Sequence, residues 1–343
     1  MSEMYEALSA APALNVIPES CISFSEQAMY VAEFANSEFY HMIESIGVEE
    51  LREYELNEST VIYEGEKLDS LKEKIKTYIT KVFGAIKTLF TNVKKYFDTK
   101  SKAAKSLNIT KDILNDIPDG TMIGKTHTFF DFKKVKFGEK ATRYGKEVDK
   151  TFKALAGASR KELKDATNML EEKMIPYITG VNTKSLREMK KEIKKECIGQ
   201  EVNADKAWLA KNFKNIHDFI YGVKIENDIK NAYNVEKKAL DTLYKTCSDS
   251  CDDPKYADVA PYWCGVIEDV IITANYAYGV VFDNYKRMYS ELVNLLIKAQ
   301  KIAKKNAKKS VKEEFEVQEE TKDLIVDESY TNEYDLVASA FDF

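Results

Sequence analysis

Glycine and proline are scarce in this chain, with 13 glycines and six prolines among 343 residues. Both residues interrupt helices and shape turns, so their scarcity argues against a turn-rich β-sandwich and favours long helices. Tyrosine and phenylalanine are plentiful, with 20 and 17 residues, and can fill a core between such helices. The composition therefore predicts an all-α fold, an elongated bundle of long amphipathic helices.

Cysteine is also rare, and its five positions form no disulfide framework, because their number is odd and their spacing irregular. Cys247, Cys251 and Cys264 come nearest to a metal site. Their spacing lacks the paired C-x2-C knuckle of a zinc site, and no histidine lies nearby in the sequence to complete one. We therefore expect free thiols in a reducing compartment, with no metal and no cofactor.

Targeting and membrane-spanning signals are missing from the pattern as well. No Lys or Arg precedes Arg52, so the positively charged start of a secretory signal is not found. The best candidate span, Val270 to Phe282, has 13 uncharged residues, whereas a bilayer requires roughly 20. We expect a soluble protein without a secretory signal or a membrane-spanning helix.

No stretch carries a convincing catalytic signature. The segment Asp119–Thr126 (DGTMIGKT) approaches a phosphate-binding P-loop, but its glycines are one residue too close and no strand is predicted before it. We interpret it as a loop. His41, His127 and His217 are far apart, and no serine or cysteine has a nucleophile context. We expect a protein that is not an enzyme, and an all-helical enzyme with dispersed carboxylates is the alternative.

Charge is segregated along the chain. Residues 1–64 contain one basic and 13 acidic residues, a net charge of −12, and residues 312–343 contain two basic and 11 acidic residues, a net charge of −9. The intervening residues carry 48 basic and 33 acidic side chains, a net charge of +15. This pattern predicts four segments. They are an acidic N-terminal segment and candidate propeptide (1–64), a basic amphipathic helix (65–100), a helical body (101–311) and an acidic C-terminal tail (312–343).

The clearest helical pattern runs from Glu66 to Phe97. Apolar residues recur there every three or four positions for about nine turns, while eight lysines and three acidic residues occupy the other faces. Three interpretations of this amphipathic helix are open. It can bury its apolar stripe in a bundle, lie on an anionic membrane surface, or bind in the groove of a partner protein.

Further helical patterns and one short alternating stretch fill the body of the chain. The helices are predicted over about 141–174, 184–197, 204–246 and 261–311. The first of them is expected to stop before Pro176. The segment HTFFDFKKVKF partly alternates and predicts a short β-hairpin near 127–137.

The last helical pattern ends in a lysine cluster, since residues 298–312 contain seven lysines and no acidic residue. A solvated helix end is the ordinary interpretation. The functional one is non-specific contact with phosphates or another anionic surface, in which released counterions supply the affinity. With only five arginines in the chain, base-specific recognition is not expected. The candidate contact residues are Lys298, Lys301, Lys304, Lys305, Lys308 and Lys309.

Three tripeptides in the acidic N-terminal segment share a form: Ile or Leu, any residue, then Glu, followed by Ser or Gly. They end at Glu19, Glu58 and Glu64, and Gly65 follows the last of them. These look like the sites cut by prohead maturation proteases, and the chain resembles the internal head proteins of large tailed bacteriophages. The resemblance implies a removable N-terminal segment, synthesis in the host cytoplasm and a final location inside the virion. It also implies a prohead protease, capsid or other virion proteins and non-specifically bound DNA as partners.

The leading hypothesis is therefore a phage virion structural protein, internal to the capsid, that is processed near Glu64. It would then bind packaged DNA or the capsid interior without sequence specificity. A second hypothesis is a membrane-active or pore-forming helical protein, which would use the 66–97 helix and the apolar, aromatic stretch at 259–285. A helical scaffold for assembly is the simplest alternative.

Overall fold

The computed structural model describes residues 16–17, 23–46, 65–129, 132–251, 254–256 and 259–316. These residues form eight α-helices and one two-stranded antiparallel sheet, which confirms the all-α class with a small β element. The helices are α1 (Phe24–Ile46), α2 (Gly65–Ser106), α3 (Phe137–Ala154), α4 (Arg160–Thr179), α5 (Leu186–Cys197), α6 (Lys206–Ile220), α7 (Val223–Cys251) and α8 (Ala260–Glu316). The strands are β1 (Met122–His127) and β2 (Glu201–Asp205).

The position of the small sheet differs from the one predicted from the sequence. Strand β1 pairs with β2, which lies more than 70 residues later, in a register that matches Gly124 with Ala204 and His127 with Glu201. The hairpin predicted near 127–137 is wrong, because residues 132–134 form a 3-10 turn and α3 begins at Phe137. Of the predicted segment, His127 is the one described residue that lies in a strand, where it ends β1. The strand that pairs with it is remote in sequence.

Local backbone signals divide two of the predicted helices. The predicted helix over 141–174 is broken between α3 and α4, where Ser159 and Glu162 form a capping box that starts α4. This helix then continues through Pro176, past the predicted end, to Thr179. The amide of Gly180, in the left-handed region with φ of 82°, donates to the carbonyl of Pro176 and ends the helix.

Gly222 divides the helix predicted over 204–246 into α6 and α7. Its φ is 88°, a left-handed conformation that side chains other than glycine's rarely adopt. A Cβ atom at this position would also lie 2.7 Å from Oγ of Ser101. The Ser101 hydroxyl donates to the carbonyl of Ile220, so the α2 side chain holds the end of α6 in place. Both conformation and space therefore require glycine here.

The chain folds into two compact units, each assembled from discontinuous segments. Unit 1 draws on the chain up to Val93, on Asp131–Cys197 and on Ile229–Asp283. Unit 2 draws on Lys94–Phe130, on Ile198–Asp228 and on the chain from Asn284 onward. Helices α2, α7 and α8 each contribute residues to both units.

Helix α1 belongs to the core of unit 1, although it lies within the acidic segment 1–64. Phe24, Val31 and Phe39 on its apolar face are at most 3% exposed. The carboxylate of Asp283 accepts hydrogen bonds from the backbone amides of Phe24 at 2.6 Å and Ser25 at 3.0 Å, so it caps the positive end of α1. Burial and capping both bind α1 to the helices around it.

Aromatic side chains fill the centre of unit 1. The ring of Phe90 lies 5.6 Å from that of Tyr233, 6.2 Å from Tyr278 and 5.9 Å from Phe282, each in an edge-on arrangement. Such edge-to-face pairs add to the stabilisation from burial. The apolar stripe of α2 is part of this core, which confirms the amphipathic helix and its bundle interpretation. Its buried residues in unit 1 include Ile75, Ile79, Val82, Phe83, Ile86, Phe90 and Val93.

Unit 2 is built around the second half of α8. The ring of Phe219 lies 5.4 Å from Tyr285, and Phe97 lies 6.1 Å from Tyr289. The hydroxyl of Tyr289 donates to the carbonyl of Ile220 at 3.0 Å. These contacts hold α2, α6 and α8 together within the unit and fix the face of α8 that looks away from the core.

Candidate polyanion-binding surface

The second half of α8 carries a stripe of exposed lysines. Lys298, Lys301, Lys305 and Lys308 are exposed and follow one another at steps of three, four and three residues. At 1.5 Å per residue this lysine stripe is about 15 Å long. Because steps of three and four keep side chains on one side of a helix, the four ammonium groups share a face. Lys304 is exposed beside them, and Lys309 lies on the same helix.

The opposite side of the same helix is apolar and fixes the stripe in place. Leu292, Leu295, Leu296, Ala299 and Ala303 are all at most 6% exposed. Burial of this face determines which way the lysines point, since rotation of α8 would bring charged groups into the core. The surface is therefore a consequence of the packing of unit 2.

Acidic partners do not neutralise the stripe within the described part of the chain. None of Lys298, Lys301, Lys305 and Lys308 forms an ion pair with a described acidic residue. Elsewhere the lysines of unit 2 are often paired, as Lys94 is with Glu226 at 3.6 Å. The stripe thus presents positive charge that an external anion can contact.

Strand β1 runs beside the start of the stripe, where the cations are paired. A Cβ atom on Gly124 would lie 3.3 Å from Cδ1 of Leu295 and 4.0 Å from Nζ of Lys298. One turn before Leu295 on α8, Glu291 bonds Nδ1 of His127 at 2.9 Å and accepts from Arg287 at 2.8 Å. The four lysines without an acidic partner among the described residues therefore begin at Lys298 and end at Lys308.

A shallow depression of about 430 Å³ lies alongside the far part of the stripe. The loop residues 115–119, Lys206, Asn306 and Ala307 line it. The Lys206 ammonium donates to the Asp119 carboxylate at 2.8 Å, and this pair lowers the pKa of Asp119 below its usual value. The depression is open and contains no nucleophile beside a base, so we assign it no chemistry.

Sequence reasoning missed a second basic cluster in unit 2. The Nζ atoms of Lys286 and Lys100 lie 5.0 Å and 5.7 Å from the ring centre of Tyr96. Burial, together with the nearby charge of Lys286, lowers the pKa of Lys100, and burial raises the pKa of Tyr96 to about 12. The four-residue step from Tyr96 to Lys100 is visible in the sequence, whereas the approach of Lys286 is a tertiary contact.

The candidate cleavage residues are only partly within reach of the structure. Glu19, Glu58 and Glu64 lie outside the described residues, and Gly65 is the first residue of α2. Two of the three tripeptides therefore fall between α1 and α2, and the third precedes α1. A cut at the later pair would not by itself separate α1 from unit 1, because α1 is buried against α8 there.

Within the described side chains, the other candidate sites form no reaction centre. Residues 122–126, which we interpreted as part of a loop, lie in strand β1, so their amides pair with β2 instead of forming a phosphate cradle. Cys264 is buried, and the side chains of Cys247 and Cys251 are not described. Among the described side chains no group of three His, Cys, Asp or Glu residues could hold a metal ion.

One described helix is long and apolar enough to cross a membrane. It is α8 between Tyr262 and Lys308, whose most apolar window has a mean hydropathy of 1.2. Of this window, 83% is buried inside the protein. The core helix of a soluble protein passes the same test of length and composition, so this property alone is only weak evidence for a membrane span.

Comparisons with known proteins do not assign the chain to a family. No protein-family model matches it, and neither a curated protein nor a solved structure shows significant similarity to it.

Proposed function

We propose that this protein is a non-enzymatic structural protein that binds nucleic acid phosphates through the lysine stripe of α8. We propose that it lies inside the virion of a tailed phage, where packaged DNA is the polyanion that the stripe would bind. The single observation that carries the binding proposal is the stripe itself: four exposed lysines at helical spacing, without an acidic partner among the described residues.

The dimensions of the stripe suit a nucleic acid backbone. One strand of duplex DNA presents a phosphate about every 3.4 Å along its axis, so a stripe of about 15 Å faces about four phosphates. Each neutralised phosphate releases condensed counterions, which supplies affinity without reading the sequence. Lysine acts as a flexible point charge in such contacts, whereas base recognition favours the planar fork of arginine.

The acidic ends of the chain supply regulation in this proposal. The residues that follow the stripe, 312–343, carry a net charge of −9, and residues 1–19, which precede α1, carry −3. Tethered acidic segments compete with DNA phosphates for the same lysines at high local concentration. They would keep affinity for host nucleic acid low until the protein is enclosed with DNA.

The packing of α1 restricts how processing can occur. If all of 1–64 were removed, unit 1 would lose Phe24, Val31 and Phe39 from its core along with the capped end of α1. A cut after Glu19 leaves α1 intact. We therefore propose that processing releases the residues before α1. The intact mass of the protein from purified particles should fit a chain that begins at Ser20, and a chain that begins at Met1 or Gly65 would contradict this.

Salt dependence tests the binding surface. We compare the wild type with a variant in which Lys298, Lys301, Lys305 and Lys308 are replaced by Gln, and measure affinity for duplex DNA by fluorescence anisotropy at 50–200 mM salt. Each phosphate contact contributes about 0.9 to the slope of log K against log salt. Loss of four contacts should reduce the slope by about 3.6.

A matched variant separates the stripe from bulk charge. Replacement of four exposed lysines of unit 1 by Gln changes the net charge equally and should leave the salt slope close to that of the wild type. These residues are Lys146, Lys150, Lys191 and Lys194. Equal slopes for the two variants, or no DNA binding even at 50 mM salt, would remove the assignment.

A membrane-active protein is the second candidate, favoured by the length and apolar composition of α8. In this fold the apolar stripe of α2 and most of the apolar window of α8 are buried, so membrane binding would require unit 1 to open. Vesicles of anionic lipid at low salt distinguish the two candidates. Release of vesicle contents by the wild type, without binding to DNA, would favour the membrane function over ours.

A further inference from the structure

One acidic side chain in unit 1 is buried without compensation. Glu236 on α7 is 2% exposed, and neither of its carboxylate oxygens has a hydrogen-bond partner among the described residues. Buried polar groups in native proteins are nearly always paired, and an ionised carboxylate without a partner is strongly disfavoured in an apolar interior. A carboxyl in this position keeps its proton more readily than one in water.

The surroundings of Glu236 leave little room for adjustment. A Cβ atom on Gly138, in the first turn of α3, would lie 2.7 Å from Cγ1 of Val235 and 3.4 Å from the backbone nitrogen of Glu236. It would also lie 3.4 Å from the hydroxyl oxygen of Tyr278 on α8. Helices α3, α7 and α8 thus lie so close together at Glu236 that position 138 of α3 has no room for a side chain. Such tight packing resists the entry of water that would solvate a charge.

Among the described residues, no cationic side chain forms an ion pair or hydrogen bond with Glu236. Tyr278 of α8 approaches this position, and its hydroxyl accepts from the amide of Gly138 at 3.3 Å. Asn275 lies one turn earlier on α8 and is 1% exposed. The amide oxygen and nitrogen of Asn275 also have no described partner. On α2, the rings of Phe83 and Phe90 pack against Tyr233, one turn before Glu236. The described side chains that pack here from α2 and α8 are therefore uncharged or aromatic.

Charged groups also occur on the three helices that meet at Gly138. Lys237 and Asp241 lie on α7 and interact with each other, Glu139 lies beside Gly138 on α3, and α8 contributes Glu268 and Asp283. Burial raises the pKa of Glu236 well above 4.5, and the negative charge of its ionised form contributes to the raised pKa of Tyr278. Burial therefore accounts for the resistance of Glu236 to ionisation.

We propose that Glu236 is a proton-controlled lock of unit 1: α3, α7 and α8 close around its neutral form, and loss of the proton favours an opened unit. The sign follows from linkage. Because the carboxyl binds its proton more tightly in the folded chain, this contribution to stability is fully present below pH 4.5. It is lost as the pH rises from there through the folded-state pKa. A rise in pH through the folded-state pKa therefore loosens unit 1.

Unfolding by urea between pH 5 and pH 9, at constant ionic strength, tests the lock. Between its unfolded-state and folded-state pKa values, Glu236 keeps a proton in the folded chain that it has lost in the unfolded chain. The unfolding equilibrium constant should therefore increase by up to tenfold per pH unit in this range. E236Q, which cannot ionise, and E236M, an apolar replacement of similar length, should both lose this part of the pH dependence. The matched control is E147Q, since Glu147 is an exposed residue of α3. Its pH dependence should parallel that of the wild type.

The outcomes separate clearly. If E236Q or E236M folds and its pH dependence still parallels the wild type, Glu236 is not the lock. If neither variant folds, infrared spectroscopy of the wild type decides: the folded protein must keep the carbonyl stretch of a protonated carboxylic acid at pH values where exposed carboxyl groups are already ionised, and lose it as the pH rises further. A folded wild type whose carboxylic acid band disappears together with that of its exposed carboxyl groups overturns the proposal.

Discussion

The two halves of α8 have opposite surroundings within one continuous helix. From Ala260 to Asp283 the sequence has no Lys or Arg, and nearly all described residues from Trp263 to Phe282 are buried. From Asn284 to Glu316 it has nine basic residues, and only one face is buried. A helix that is apolar on all sides is surrounded by protein, whereas one with a polar face borders solvent. The first half therefore builds a core, and the second half builds a surface.

This contrast shows that length and secondary structure alone do not define a functional segment. Within unit 1 the helix is enclosed by other helices, and its rare polar residues, such as Asn275, are buried. Within unit 2 the exposed face is free to carry lysines because the core requires only residues such as Leu292 and Ala299 on the opposite face. Substitutions of equal type in the two halves should consequently have very different effects.

The largest difference is expected between Phe282 and Lys301. Phe282 is 0% exposed and packs against Phe90 and Phe132 at ring distances of 5.9 Å and 6.2 Å. F282A should lower the free energy of unfolding by about 3–5 kcal/mol, because the cavity adds to the loss of burial. K301A, on the exposed face of the same helix, should change it by less than about 0.5 kcal/mol. Urea denaturation measures both, and comparable losses would contradict the division of α8 into core and surface.

A smaller effect should distinguish two glycines of the first half. A Cβ atom on Gly279 would lie 2.8 Å from the carbonyl oxygen of Phe24, which is backbone and cannot rotate away. On Gly265 it would lie 3.5 Å from Cζ of Phe39, an ordinary contact. G279A should therefore destabilise the protein by about 1–3 kcal/mol through overpacking. G265A should be neutral or stabilise it by up to about 1 kcal/mol, since alanine favours a helix.

Hydrogen exchange localises the effect of these glycine variants. Both glycines face α1, so G279A should speed amide exchange along α1, while G265A should leave that exchange unchanged. If G279A is as stable as G265A and α1 remains protected in both, the close approach of α1 to α8 is not a determinant of unit 1.

Much of the helical content could be predicted from the sequence because it depends on periodicity. The apolar residues that recur from Leu68 to Phe97 lie on α2, and the last helical pattern in the sequence corresponds to α8. The breaks at Gly157 and Gly222 were missed, although both glycines adopt a positive φ. An isolated glycine is compatible with a helix interior, and only the tertiary contact of Gly222 with Ser101 shows why the chain must turn there.

Only the residues of the candidate surface, and not their surroundings, could be predicted from the sequence. The lysines near 300 stand out in the sequence, whereas the absence of described acidic partners depends on how unit 2 packs. The partner strand of β1 could not be predicted, because pairing over more than 70 residues leaves no local signal. Glu236 was also missed: in the sequence it is one of 57 acidic residues, and nothing local distinguishes it from an exposed one.

Position 222 offers a way to recognise diverged relatives. Its backbone conformation and the adjacent Ser101 hydroxyl leave no alternative to glycine, while surface lysines can be exchanged at little cost to folding. In a collection of distant sequences, a glycine between two helical patterns, together with a small hydroxyl residue about 120 positions earlier, should persist after the charge pattern has drifted. That pair would be a stricter search criterion than composition.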